Sequence, residues 1–277
     1  MDTASIAAIS DPRERAKAAH KRIDEFQAAV TELSDMRRDA LRELLASGMS
    51  QTAIAELLGM SKSRISQLLS AGTRAERVFL GTGKLTVAIG GKLEADKASP
   101  GGVVSAEAFS AYEILAELAR AVGLDATYEV VPPPGNVDLN RPNLIVLTNP
   151  RLLPFLSQVM GADPNLRYRH DDGGWYLVDL TTNTEYRSPM DQGEPTDYTY
   201  VGRLPRPDGK GTFLYLAGTH APGTLGAAHF IADNIGSLYR ELKSRRFSTL
   251  IACHYDPKDR KKILRTEHVT PLYRHEG

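Results

Sequence analysis

The chain reads as an α/β protein in two parts, and three observations carry that reading. Through the first eighty or so residues, apolar side chains recur at the three- and four-residue spacing of helices. From Lys84 onward, short β-rich runs alternate with helical stretches, the pattern of strands and helices layered on a sheet. Within that second part, residues 143–147 (NLIVL) form an almost continuous apolar run, as a strand covered on both faces requires. The expected architecture is an all-α domain over residues 1–80 joined to a Rossmann-like α/β domain over residues 84–277, the latter carrying a β-meander insertion.

Residues 51–70, QTAIAELLGMSKSRISQLLS, are the most informative stretch. Ser50 is placed to cap a first short helix with apolar Ile54, Ala55, Leu57 and Leu58. Gly59 stops that helix, because glycine tolerates the left-handed backbone of a sharp turn. Ser61 caps a second helix whose Ile65, Leu68 and Leu69 share one face. Its other face carries Lys62, Ser63, Arg64, Ser66 and Gln67, long donors and small polar groups without a carboxylate. That chemistry suits a helix lying in a major groove, where Arg or Gln can bond two atoms of one base edge. A buried helical pair needs the same apolar spacing; small Ala55, the Gly59 turn and the acid-free face favour DNA.

This stretch resembles the helix-turn-helix of bacterial transcriptional regulators, and with the preceding MRRDALRELLASGMS it is similar to region 4 of sigma factors. The resemblance implies double-stranded DNA as a partner. It places Ser61, Lys62, Ser63, Ser66 and Gln67 at the bases and Gln51 and Thr52 near the backbone, with Arg64 and Arg74 adding positive charge. No counterpart of sigma region 2 is found elsewhere, so a complete sigma factor is not expected.

Composition bounds these expectations. A 42% hydrophobic content with 25% charged residues supports a sizeable core, and the formal net charge of +0 argues against a generally basic nucleic-acid binder. The basic footprint is local: Lys62, Arg64, Arg74 and Arg77 against Glu56 and Glu76. Weak binding per module is therefore expected, with a homodimer or higher homo-oligomer supplying affinity and its main interface expected in the C-terminal domain, which senses a ligand or oligomerises. The single cysteine, Cys253, excludes an intramolecular disulfide and fits a reducing cytoplasm. Asp2 and Asp11 stand where a signal peptide would be basic, and no run approaches the roughly 18 apolar residues of a membrane span.

In order, residues 1–11 are expected to fray and residues 12–45 to form a helix with a stripe of Ile23, Phe26, Val30 and Leu33. The stripe serves either packing within the DNA-binding domain or a dimer seam; Asp35 and Arg37 interrupt its repeat, so internal packing is expected. Gly72 is expected to end the second motif helix, and residues 74–83 to form a linker. The GTGK in it is not a phosphate loop, since Val78 and Leu85 stand where that pattern needs a glycine and a Ser or Thr. Beyond it, strands are expected at 85–89, 128–131, 143–147, 199–204, 212–217 and 248–253, with a last one around Ile263. Helices are expected at 105–122 and 152–160, then one carrying Leu225, Phe230 and Ile231 and another over 235–243. DDGG and TTN turns mark the meander within residues 167–188.

Three loops leave the C-terminal ends of apolar strands: Gly90, Gly91 and Lys92; Asn149 and Arg151 in TNPR; and Thr219, His220, Gly223 and Thr224 in GTHAPGT. Open α/β sheets bind ligands at this edge, where helix N-termini offer N–H groups to anions, and Lys92, Arg151 and Arg203 could add charge. A small anionic ligand, phosphorylated or nucleotide-like, is the expectation; simple βα turns and caps are the alternative. No GxSxG, HExxH or CxxC signature is present, so no catalytic residue, metal or cofactor is assigned and an enzyme is not expected. His220 with Asp191 could do acid–base work if brought within hydrogen-bond reach, which keeps open an enzyme acting on nucleotides. A nucleoid or plasmid-maintenance factor is the third reading.

Overall fold

The computed structural model of the protein describes residues 3–95 and 98–275, apart from the side chains of residues 24, 27, 28, 31, 32, 35 and 70–76. The chain is mixed α/β and divides into two compact units, Met1–Gly72 and Thr73–Gly277.

The first unit is helical. The first residues do not fray throughout: α1 (Thr3–Ala7) forms, and Ile6 is buried. Asp11 caps α2 (Pro12–Ala46) by accepting from Arg13 N, with Pro12 at the first position, where its missing N–H costs nothing. Ser50 caps α3 (Gln51–Leu57) by accepting from Ala53 N at 3.2 Å. At the start of α4 (Lys62–Leu80), Ser61 Oγ accepts from Arg64 N at 3.1 Å. Between α3 and α4, Gly59 has φ +62°, the left-handed value the turn demands. A small core of Leu41, Ile54, Ala55 and Ile65 joins α2, α3 and α4.

Several expectations fail here. Leu57 is 63% exposed, so the apolar face of α3 is narrower than its sequence. The α2 stripe does not pack within the unit: Ile23, Phe26, Val30 and Leu33 are 51–64% exposed. Gly72 also fails to end its helix, and the expected linker over 74–83 is largely helical. One interior glycine costs a helix only about 1 kcal/mol. Phe79 and Leu80, at the end of α4, are buried in the core of the second unit and outweigh it.

The second unit is built on a mixed sheet. Its elements are β1 (Leu85–Gly90), β2 (Lys92–Leu93), β3 (Gly102–Val103), α5 (Ala106–Ala121), β4 (Ala126–Val131), β5 (Leu144–Leu147) and α6 (Leu156–Val159). There follow β6 (Leu166–Asp171), β7 (Gly174–Asp179), β8 (Thr184–Tyr186), β9 (Thr196–Pro205) and β10 (Thr212–Gly218). The last elements are α7 (Ala221–Leu242), β11 (Arg246–Asp256), β12 (Asp259–His268) and β13 (Tyr273–His275). The strand order is β12-β11-β9-β10-β5-β1-β4, with β13 on β11. β4, β1, β5 and β10 are mutually parallel; β9 runs against both β10 and β11. The C-terminal ends of β1, β5, β10 and β11 therefore lie along one edge. β1 and β5 lie at the reversal of strand order, since β1 connects through α5 to β4 on one side and pairs with β5 on the other.

One face of the sheet packs Leu115 and Ala119 of α5 and Phe230, Ile231 and Leu238 of α7. The other packs Leu153, Leu156 and Met160 around α6 and Leu166, Tyr168 and Leu177 of the small β6-β7-β8 sheet. The expected helix over 152–160 is only α6 followed by a 3-10 turn, because Pro154 restricts the residue before it. The two helices expected after GTHAPGT are one, α7; Asn234, at their expected junction, donates its Nδ2 to Phe230 O and stays helical. Among the described residues, no helix is long and apolar enough to cross a membrane.

Candidate functional site

The three loops expected at the ligand meet at that shared edge. A cavity of about 240 Å³ lies there, lined by Gly90 and Lys92 after β1, by Thr148, Asn149 and Arg151 after β5, and by Thr219, His220 and Thr224 around the start of α7. Gly91 and Gly223 do not line it. Gly91 N instead donates to Val131 O at 2.9 Å, and Gly223 N donates to Asp197 Oδ2 at 3.1 Å. Ser105 and Glu107 at the head of α5 and Arg260 at the start of β12 complete the wall. A second cavity of about 310 Å³ adjoins, sharing Arg151, Thr219 and His220 and bounded by His170, Trp175 and Asp191.

The loops are held to one another by hydrogen bonds. Asn149 Nδ2 donates to Gly218 O at 2.9 Å and Thr219 O at 3.2 Å, tying the β5 loop to the β10 loop. Thr224 Oγ1 accepts from Gly218 N at 3.0 Å. Gly90 is glycine for close packing: a Cβ there would overlap Thr148 Oγ1. His220 Nε2 and Asp191 Oδ1 are 2.9 Å apart, within the reach acid–base work needs.

Asp197, which the sequence reading did not single out, organises the start of α7. Fully buried, its carboxylate accepts from Ser188 Oγ at 2.6 Å, His220 N at 2.8 Å and Gly223 N at 3.1 Å. Burial pushes its pKa up, opposed by those donors and the nearby imidazole. This contact removes the start of α7 from the helix N-termini expected to hold an anion. The first turn of α7 already faces a carboxylate, Pro222 has no N–H, and the TNPR loop leads into a four-residue helix. Positive charge in the cavity comes instead from side chains. Among the described residues, Lys92, Arg151 and Arg260 have no carboxylate partner, and Glu107 is the acid beside them.

Arg203, also expected at this edge, lies elsewhere. Its Nη2 donates to Phe79 O at 2.7 Å, its guanidinium covers the Phe79 ring at 4.6 Å, and burial lowers its pKa to about 10. Cys253 is core: buried against Pro222 O, its thiol is pushed up to about 12 by burial. No group of three or more His, Cys, Asp or Glu among the described residues could hold a metal ion.

In the first unit, Ser61, Lys62, Ser63, Arg64, Ser66 and Gln67 are all exposed on one short helical stretch, and Thr52 is exposed and Gln51 half-exposed on α3. Arg64 Nη1 reaches Gln67 Oε1 at 3.4 Å, a long contact that a base edge could replace. The Arg74 side chain lies outside the described residues.

Compared with protein-family models, curated proteins and solved structures, the chain has no match in any of the three. The chemistry of the two sites carries the functional reading.

Arg260 and the His170–Trp175 pair line the two cavities but were not indicated by the sequence as parts of a candidate site. Arg260 sits in a basic exposed strand that looks like a solvated edge. His170 and Trp175 pair across the β6–β7 hairpin, their ring centroids 5.1 Å apart, a register visible only once the strands are paired.

Proposed function

We propose that the protein is a sequence-specific DNA-binding transcriptional regulator: a helix-turn-helix unit reads DNA, and a Rossmann-like unit binds a small anionic ligand. The observation that carries the DNA half is the start of α4. Two serine-capped helices meet at a left-handed glycine over a core of Leu41, Ile54, Ala55 and Ile65. That leaves Lys62, Ser63, Arg64, Ser66 and Gln67 outward with no carboxylate among them. The ligand half rests on three cations, Lys92, Arg151 and Arg260, that make no ion pair among the described residues and surround the cavity at the strand-order reversal, where open α/β sheets bind ligands.

The acting species is a homodimer, since a single motif of this size contacts too few bases for tight specific binding. The exposed stripe of α2 supplies the seam. Ile23, Phe26, Val30 and Leu33 step by three, four and three residues, with β-branched Ile23 and Val30 alternating with Phe26 and Leu33. That is the pattern two parallel helices use.

Selection of binding sites from random duplex DNA by the full chain tests the DNA reading. A single enriched motif is expected. Gln67→Ala should lose about 1–3 kcal/mol on that motif if it makes a bidentate base contact. Unchanged affinity in a Lys62→Ala, Gln67→Ala double variant would end the groove assignment.

A second reading, an enzyme acting on nucleotides, is favoured by the His220–Asp191 pair, of which His220 lines both cavities and Asp191 the second. A carboxylate-held imidazole is oriented as a general base must be. Turnover of a nucleotide panel, lost in His220→Ala, would select it.

A further inference from the structure

We infer that the paired cavities take a nucleoside phosphate, its phosphate among Lys92, Arg151 and Arg260 and its base against Trp175. This inference rests on the proposal that the site binds an anion.

An unmet acceptor in the first cavity argues against a bare anion. Thr148 is 4% exposed, and its Oγ1, without a partner among the described residues, can either donate to a phosphate oxygen or accept. Asn149 Oδ1 is likewise buried and unpartnered, while its Nδ2 is committed to two carbonyls, so the amide orientation is settled. A buried acceptor left unmet costs about 1–3 kcal/mol, so a ligand that supplies a donor is favoured. Phosphate supplies none when fully ionised; a sugar hydroxyl or exocyclic amine does. Glu107 makes the same point, because a carboxylate repels a polyanion yet accepts readily from ribose hydroxyls.

The adjoining cavity supplies the ring. Trp175 is half-buried at its wall beside His170, and Gly173 and Gly174 leave the backbone bare there. A planar heteroaromatic group stacks on such a surface for about 1–3 kcal/mol per base. Arg151, Thr219 and His220 line both cavities, so the two adjoin and the proposed ligand would lie across these three residues. Sites of about 300–1,000 Å³ hold ligands of this size.

Trp175 is the only tryptophan in the chain, so its fluorescence reports on the second cavity alone. The full-length protein is titrated with the four ribonucleoside monophosphates, adenosine, ribose 5-phosphate and inorganic phosphate, with calorimetry alongside. At least one nucleotide should quench Trp175 and bind at least tenfold tighter than ribose 5-phosphate. Arg151→Ala should weaken that nucleotide at least tenfold and adenosine little. His170→Ala, an exposed position that does not threaten folding, should narrow the nucleotide's advantage over ribose 5-phosphate. If ribose 5-phosphate or phosphate binds as tightly as every nucleotide, the base subsite is wrong and the anion reading survives. If none of the seven compounds binds, both fall.

Discussion

Asp179 ends β7 with a buried carboxylate that accepts from Tyr273 Oη at 2.6 Å and Thr181 N at 2.8 Å. Through Tyr273 it ties the small sheet carrying Trp175 to β13 on the main sheet. Burial pushes its pKa up, but the Tyr273 hydroxyl and the N–H groups of Thr181 and Thr182 outweigh this and hold it below the ordinary range. Tyr273 is pushed the other way, to about 12, by burial and by that carboxylate. For a depressed carboxyl, the stabilisation is fully present above the unfolded value of about 4 and disappears as pH falls through the lower folded value. Asp179→Asn should therefore cost about 1–3 kcal/mol at pH 7, and the gap from the parent should close as pH falls below about 4. Thermal melts of the two proteins from pH 2 to pH 7 measure this. A gap that persists unchanged at pH 2 would mean that packing, and not the charge, sets the cost.

At the scale of elements, α2 carries a clear consequence. Its stripe is exposed in the single chain, and the Arg22 guanidinium over the Phe26 ring at 4.3 Å covers only part of it. Burial of a large apolar side chain contributes about 1.5–3 kcal/mol. Replacing Val30 and Leu33 by Glu in both strands of the proposed seam should weaken self-association more than ~100-fold. Sedimentation equilibrium should find the parent dimeric at micromolar concentration and this variant monomeric. A monomeric parent, with and without DNA, would remove the seam. The α2–α3–α4 core is the other sensitive element. With four buried apolar residues among the described ones, Ile65→Ala should cost about 2–5 kcal/mol, enough to unfold the first unit. Helical circular dichroism should fall while the β-sheet signal stays.

For the whole molecule, the proposal requires the two units to communicate. A ligand that favours one state of the protein must change DNA affinity, and DNA must change ligand affinity by the same factor. About 5–150-fold is the usual span, corresponding to about 1–3 kcal/mol. DNA titrations of the full chain with and without the tightest nucleotide, and nucleotide titrations with and without the selected operator, measure both factors. Equal DNA affinity in the two conditions would leave a binding site without a sensing role.

Local rules carried the sequence a long way. Serine caps at 50, 61 and 105, the left-handed Gly59, the DDGG hairpin and the apolar strand 144–147 all follow from side-chain and backbone preferences within a few residues. The convergence of GGK, TNPR and GTHAPGT was likewise foreseeable, because parallel strands place their C-terminal ends on one edge. Longer-range competition lay beyond such rules. Whether α4 stops at Gly72 depended on the distant core that receives Phe79 and Leu80. Whether the α2 stripe packs inward depended on the tertiary fold, in which Ile23, Phe26, Val30 and Leu33 stay exposed. The start of α7 reads as an anion site until Asp197, more than twenty residues earlier, is seen to fill it. Capping, turns and strand character are decided between neighbours along the chain, and the sequence determined them. Charge pairing, burial and the walls of a cavity are decided between residues that meet only when the sheet is assembled, and only the tertiary structure chose among the partners.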